Sequence, residues 1–169
     1  MKGTFRMVYL SLLISLSLAL FMFEGLLPLP FLAPGAKLGL ANIVTVIALY
    51  TLPRWHDALL VIVLRIVIAS LLGGGPTIMF YSLAGGLLSF FCMLALKSSG
   101  HFSMLGVSMA GGFFHNLGQL LIAAVLMESL GVFYYLPILG ACGLVTGGLI
   151  GVLASGALPR ISRQLAGQR

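Results

Sequence analysis

The stretch "PGAKLGLANIV", Pro34 to Val44, decides how this chain is read. It sets a lysine and an asparagine among glycines, a proline and aliphatics, between two long apolar runs. In water such a charge is an ordinary surface residue; in a bilayer it marks the start of a helix. Composition chooses between the two. Of 169 residues, 60% are hydrophobic and 7% are charged, whereas a soluble domain carries about 25% charged residues. So few polar groups cannot cover a soluble surface, and the bilayer is the expected solvent. The expected fold is an all-α integral membrane protein, one membrane domain over 1–169 built as a bundle of about six transmembrane helices.

The net charge of +6 does not indicate nucleic acid. The basic residues stand singly between apolar runs and form no basic face. Cys92 and Cys142 lie inside apolar runs, without a CxxC or metal spacing, and read as small packing residues. The start, MKGTFR followed by an apolar run, resembles a signal peptide, whose core is about 7–15 residues. Here the run extends from Met7 to Leu27, so an uncleaved first helix is expected.

Six apolar segments can be drawn, at about 7–27, 38–52, 58–72, 77–96, 104–127 and 132–158. A spanning helix needs about 20 residues, so the second and third are short. They either thin the bilayer locally or form a re-entrant pair. The breaks are "PLPFLAPG", "PRWHD", "GGGPT", "KSSGH" and "ESLGVFYY". With the N-terminus inside, Lys2, Arg6, Arg54, Lys97, Arg160, Arg163 and Arg169 fall on the inner side and Lys37 alone on the outer. This asymmetry places both termini in the cytoplasm. Trp55, in the inner loop, suits interfacial anchoring, and His56 and Asp57 beside it are expected to be solvated.

Small residues four apart let helices approach in lipid, where apolar burial supplies no drive. Such stripes are Gly143, Gly147, Gly151 and Ser155; Ser82 with Gly86; Gly85 with Ser89; Ser108 with Gly112; and Ser11, Ser15 and Ala19. Each reads as packing within the bundle, but the last also suits docking of a partner membrane protein.

Ionisable residues inside spans are costly and mark candidate sites. Arg65 falls near the middle of the third segment. In "FFHNLGQLL", His115, Asn116 and Gln119 are placed on one helix face by their spacing, where they either satisfy one another or bind a ligand. Glu24, Lys37, Asn42, Tyr81 and Ser82 all fall in the outer half. The tyrosines also suit an interfacial belt, and Glu24 with Lys37 a structural ion pair. The expected site is a cup open to the outside, lined by Lys37, Asn42, Arg65, Tyr81, His115, Asn116 and Gln119. The start of the second helix and a Gly73–Gly75 loop are expected to add anion-binding N–H groups. A ligand with an acidic end and an apolar or aromatic body would fit.

The stretches "PGAKLGLANIVTVIALY", "GGGPTIMFYSLAGGLLSF", "HNLGQLL" and "YYLPIL" resemble the Gx transporter family, also described as heptaprenyl diphosphate synthase component I. That family is in turn similar to the S components of energy-coupling-factor vitamin transporters. The resemblance implies a six-helix, S-component-like fold with a ligand pocket in the outer half and vitamin uptake as the activity. It also implies a membrane scaffold protein and cytoplasmic ATPases as partners. Ser11, Ser15 and Ala19 resemble the stripe that meets the scaffold, with serine where alanine is usual. Some relatives are linked to flavin-dependent extracellular electron transfer. A catalytic prenyl synthase is not expected, because magnesium diphosphate needs clustered carboxylates. The chain has only Asp57, Glu24 and Glu128. It shows no Walker A or other catalytic motif, so no catalytic residue, metal or cofactor is expected.

Overall fold

The computed structural model describes residues 3–26 and 39–167. They form helices α1 (Gly3–Leu26), α2 (Asn42–Thr51), α3 (Trp55–Ala69), α4 (Gly75–Ser99), α5 (Met104–Leu126) and α6 (Leu136–Ala166). A π-helical turn, Ser70–Gly74, precedes α4, and a 3-10 turn, Leu130–Tyr135, precedes α6. Among the described residues five helical stretches are long and apolar enough to cross a bilayer, and α2 is a shorter apolar helix. The chain is therefore an all-α, multi-pass membrane protein. Successive helices run antiparallel. One end, here the upper end, carries Glu24, the start of α2 and the Ser70–Gly74 turn; the lower end carries Arg6, Asp57 and Lys97.

Several boundaries differ from those read in the sequence. Helix α2 begins at Asn42 rather than near 38, because Gly39 to Ala41 form a turn. Gly39 has φ +76°, and the Asn42 N–H donates to the Gly39 carbonyl at 2.8 Å. The ten residues of α2 rise about 15 Å, half of a hydrocarbon core. Helix α3 starts earlier than expected, at Trp55, with Asp57 in its first turn, where a carboxylate suits the helix dipole. There is no Gly73–Gly75 loop. The π-helical turn runs directly into α4, and the direction changes at Gly75, at φ +69°. Helix α6 continues past Pro159 to Ala166. Ala154 and Leu165 are buried, and Leu158 and Ile161 pack on the core, so this spacing keeps one face on the bundle.

Asp57 is not solvated. It is 2% exposed and receives both arms of Arg6, with Nε donating to Oδ2 at 2.9 Å and Nη2 donating to Oδ1. His56 is exposed and stacks on Trp55. Beside the Arg6–Asp57 pair, the Tyr9 hydroxyl donates to Thr51 at 2.9 Å and the Lys97 ammonium to the Leu49 carbonyl at 2.6 Å. Lys97 also lies over the Tyr50 ring. These contacts tie α1 to α2 and α3, and α2 to α4, at the lower end.

Helix α5 packs on α4 and α6 far more extensively than any other pair does. The reason is backbone contact at glycine. A Cβ on Gly112 would collide with the Gly143 carbonyl oxygen; one on Gly118 would meet the Ala84 carbonyl oxygen at 2.6 Å; one on Gly147 would meet that of Ser108 at 2.5 Å. The expected stripes on α4, α5 and α6 are thus helix contacts, except that Ser155 is exposed. The α1 stripe behaves differently. Ser11, Ser15 and Ala19 are exposed, while Leu10, Leu13, Ser17 and Glu24 form the buried face.

Gly112→Ala and Gly118→Ala should each destabilise the protein by about 1–3 kcal/mol or more, because backbone cannot yield as a side chain does. Gly156→Ala, with nothing within 4 Å of the added carbon, should be neutral or slightly stabilising. Thermal unfolding in mild detergent, followed by circular dichroism, ranks the three.

Candidate functional site

Several of the buried polar residues line two small hollows. The central hollow lies between α2, α4, α5 and α6, and its polar lining is Asn42, Ser89, Ser108, His115, Asn116 and Thr146. The upper hollow lies between α1, α3 and α4, lined by Phe21, Arg65, Ile66, Ser70, Met79 and Ser82 among others. Each encloses about 10 Å³, room for about one water molecule. The expected open cup is therefore closed in this structure, and an organic ligand requires the helices to part.

Among the described residues of these linings, three buried polar atoms have no hydrogen-bond partner: Arg65 Nε, Ser89 Oγ and His115 Nδ1. Arg65 is 5% exposed. The charge acting on it in compensation is that of Glu24, across from α1. The Glu24 carboxylate is itself engaged, accepting from the Gly39 N–H at 2.6 Å and the Leu40 N–H at 3.1 Å. A protein carboxylate thus occupies the start of α2, where sequence reading expected a ligand anion. The pattern was hard to find in sequence because the partners are 15 and 16 positions apart.

His115 is held on both sides. Its Nε2 lies 3.3 Å from Gln119 Nε2; as oriented, the amide donates, which puts the ring proton on Nδ1. Nδ1 is pressed against Gly85, where a Cβ would lie 3.0 Å from it, and it approaches that backbone without reaching good hydrogen-bond geometry. Arg65 acts on the imidazole through its charge, so the hollows are electrostatically in contact. Asn116 does not share the His115–Gln119 pair. Its Nδ2 donates to the Leu139 carbonyl on α6 at 2.6 Å, one residue around the helix from His115.

Of the residues singled out in the sequence, the structure gathers Asn42, His115 and Asn116 around one hollow and places Arg65 at the other. Gln119 supports His115 but lines neither, and Tyr81 is half-buried and lines neither. Lys37 lies outside the described residues. The linings add Ser89, Ser108 and Thr146, whose positions among glycines read as packing alone. Ser108 does donate to the Gly147 carbonyl at 2.7 Å, so it serves both purposes. The carboxylates lie far apart: Asp57 at the lower end, Glu24 at the upper end, and Glu128 exposed after α5. No group of three His, Cys, Asp or Glu able to hold a metal occurs among the described residues.

Residues 13–157, from the middle of α1 to late α6, match the family described as heptaprenyl diphosphate synthase component I. The chain belongs to that family. The match agrees with the family that the motif stretches resemble, and it includes both hollows. No curated protein and no solved structure matches the chain.

Glu24→Gln and Arg65→Ala should each lower stability by about 1–3 kcal/mol, because each leaves a buried polar partner poorly satisfied. In a double-mutant cycle the pair should show a coupling of about 0.5–3 kcal/mol. Denaturation of the four proteins in one detergent measures it, and strict additivity would mean that the two charges do not interact.

Proposed function

We propose that the protein is the membrane-embedded binding subunit of an ATP-driven micronutrient importer, comparable to an energy-coupling-factor S component. It captures a small anionic or aromatic ligand from outside and has no catalytic activity of its own. The observation that carries this reading is Arg65. A charge inside a span costs about 2.5–3.5 kcal/mol on insertion scales, and this one lines a hollow and keeps its Nε unpartnered. Ser89, whose Oγ is equally unpartnered, and the His115 imidazole line the central hollow below it.

In this reading the lower end faces the cytoplasm of a plasma membrane. Arg6, Arg54, Lys97, Arg160 and Arg163 all sit at that end, in keeping with the positive-inside rule. Energy would come from partner ATPases through a membrane scaffold. The exposed Ser11, Ser15 and Ala19 stripe on α1, flanked by exposed Leu12 and Leu16, is where the scaffold would approach closely.

The family's description favours a second reading, a non-catalytic membrane accessory of prenyl diphosphate or quinone metabolism, or of flavin-based extracellular electron transfer. One experiment separates the two. Native mass spectrometry of the protein purified in mild detergent should release a retained, water-soluble acidic compound, and Arg65→Ala should lose it. A retained prenyl or quinone compound would favour the accessory role, and a protein that retains no compound would remove support from the importer reading. Reporter fusions at both termini should report a cytoplasmic location for each.

A further inference from the structure

The two hollows lie on one face of α4. Ser82 lines the upper hollow, Ser89 and Met93 line the central one, and Gly86 falls between them. The spacing 82, 86, 89, 93 is that of a single helix face, and Ser82 to Ser89 spans roughly 10 Å of rise. What stands between the hollows there is side chain, not backbone. A Cβ on Gly86 would meet the tips of Ile66, at 3.1 Å, and Ile62, at 3.4 Å. Isoleucine tips move by rotamer changes that leave the helices in place. The partition is therefore the kind of barrier that a ligand displaces.

Each hollow is lined by a residue that keeps a buried polar atom without a hydrogen-bond partner, Arg65 (Nε) at the upper and Ser89 (Oγ) at the central, where the His115 imidazole also lines the wall with its Nδ1 against Gly85. All three residues are more than nine-tenths buried. Their charges differ in kind. Among the described residues Arg65 is the only ionised one lining the upper hollow, and those lining the central hollow offer hydroxyls, amides and an imidazole without a carboxylate, lysine or arginine. Glu24 acts on Arg65 from α1 while both of its oxygens accept backbone N–H groups at the start of α2, and Arg65 Nε stays without a hydrogen-bond partner.

We propose that the two hollows are the ends of one elongated site, and that its ligand is an elongated monoanion, with its acidic group at Arg65 and its uncharged end reaching Ser89 and His115. This rests on the binding-subunit reading and adds the shape and charge of the ligand. Displacing Ile62 and Ile66 joins the hollows along α4. The wall formed by α4, α5 and α6 stays fixed by its glycine contacts, so widening comes from the α1–α3 side, where packing is less extensive.

The test uses small thiol reagents of opposite charge. In a background carrying Cys92→Ala and Cys142→Ala, the thiols introduced by Ser82→Cys and by Ser89→Cys are treated with anionic sulfonatoethyl methanethiosulfonate or its cationic trimethylammonioethyl counterpart. Rates are normalised to those with free cysteine, and each variant must melt within a few degrees of its parent. Both thiols should react, with the anion favoured by about tenfold or more at such short range from a buried charge. Arg65→Ala should abolish that preference, and Arg65→Lys should keep it. If the Ser82→Cys thiol reacts and the Ser89→Cys thiol does not, the hollows are separate and the single-site proposal is overturned. Equal rates for the two reagents would overturn the anion selectivity. Neither result depends on whether the wild type retains a compound on purification, so failure here is distinguishable from failure of the binding-subunit reading.

Discussion

The structure depends on how closely α5 approaches α4 and α6. Lipid tails are as apolar as leucine, so burial does not drive these helices together, and dispersion at short range must do so. Gly112 against Gly143, Gly118 against Ala84 and Gly147 against Ser108 bring backbone onto backbone. Dispersion falls steeply with distance, so even one added methyl group on these surfaces matters. The same approach confines His115, whose carbonyl and ring both lie against Gly85. The imidazole is thus part of a wall that cannot easily move, which is what a binding site requires of its fixed side.

Helices α1 to α3 are attached differently. At the lower end they are joined by directional polar contacts: Arg6 with Asp57, Tyr9 with Thr51, and Lys97 with the Leu49 carbonyl. At the upper end Glu24 bridges α1 to the turn before α2. Charge-assisted hydrogen bonds are strong where water is excluded, and between them Leu10, Leu13, Val44, Ile47, Val61 and Ile62 pack into the shared apolar core. A wall packed backbone to backbone through glycine and a group packed through side chains thus meet along one seam. The hollows lie in that seam because complete packing is hardest to achieve there.

The sequence shows depth better than direction. Long apolar runs bounded by Gly, Pro and charge gave an all-α membrane bundle of about six helices, and the glycine spacing marked the faces of α4 to α6. Arg65 and His115 stood out because charge and imidazole are rare in apolar runs. What was missed depended on partners distant in the chain. Asp57 looks solvated beside Trp55 until Arg6, 51 positions away, is brought against it. Ser89 and Thr146 look like packing residues until the fourth side of their hollow is known. Asn116 appeared to share a face with Gln119, but α6 offered it a backbone carbonyl instead.

The stretch from Pro34 to Val44 raises the question of which anion its helix start receives. The free N–H groups before α2 attract negative charge, and sequence reasoning assigned that charge to a ligand. The chain supplies it from Glu24, and this shifts the ligand's position. With Gly39 and Leu40 N–H already satisfied, an incoming acid gains little at the start of α2 and would meet repulsion from Glu24 there. Arg65, on which that carboxylate acts, lines the upper hollow and keeps its Nε without a partner. The most favourable position for a negative group is thus against α3 and α4, leaving the α2 turn as a structural clasp beside the site.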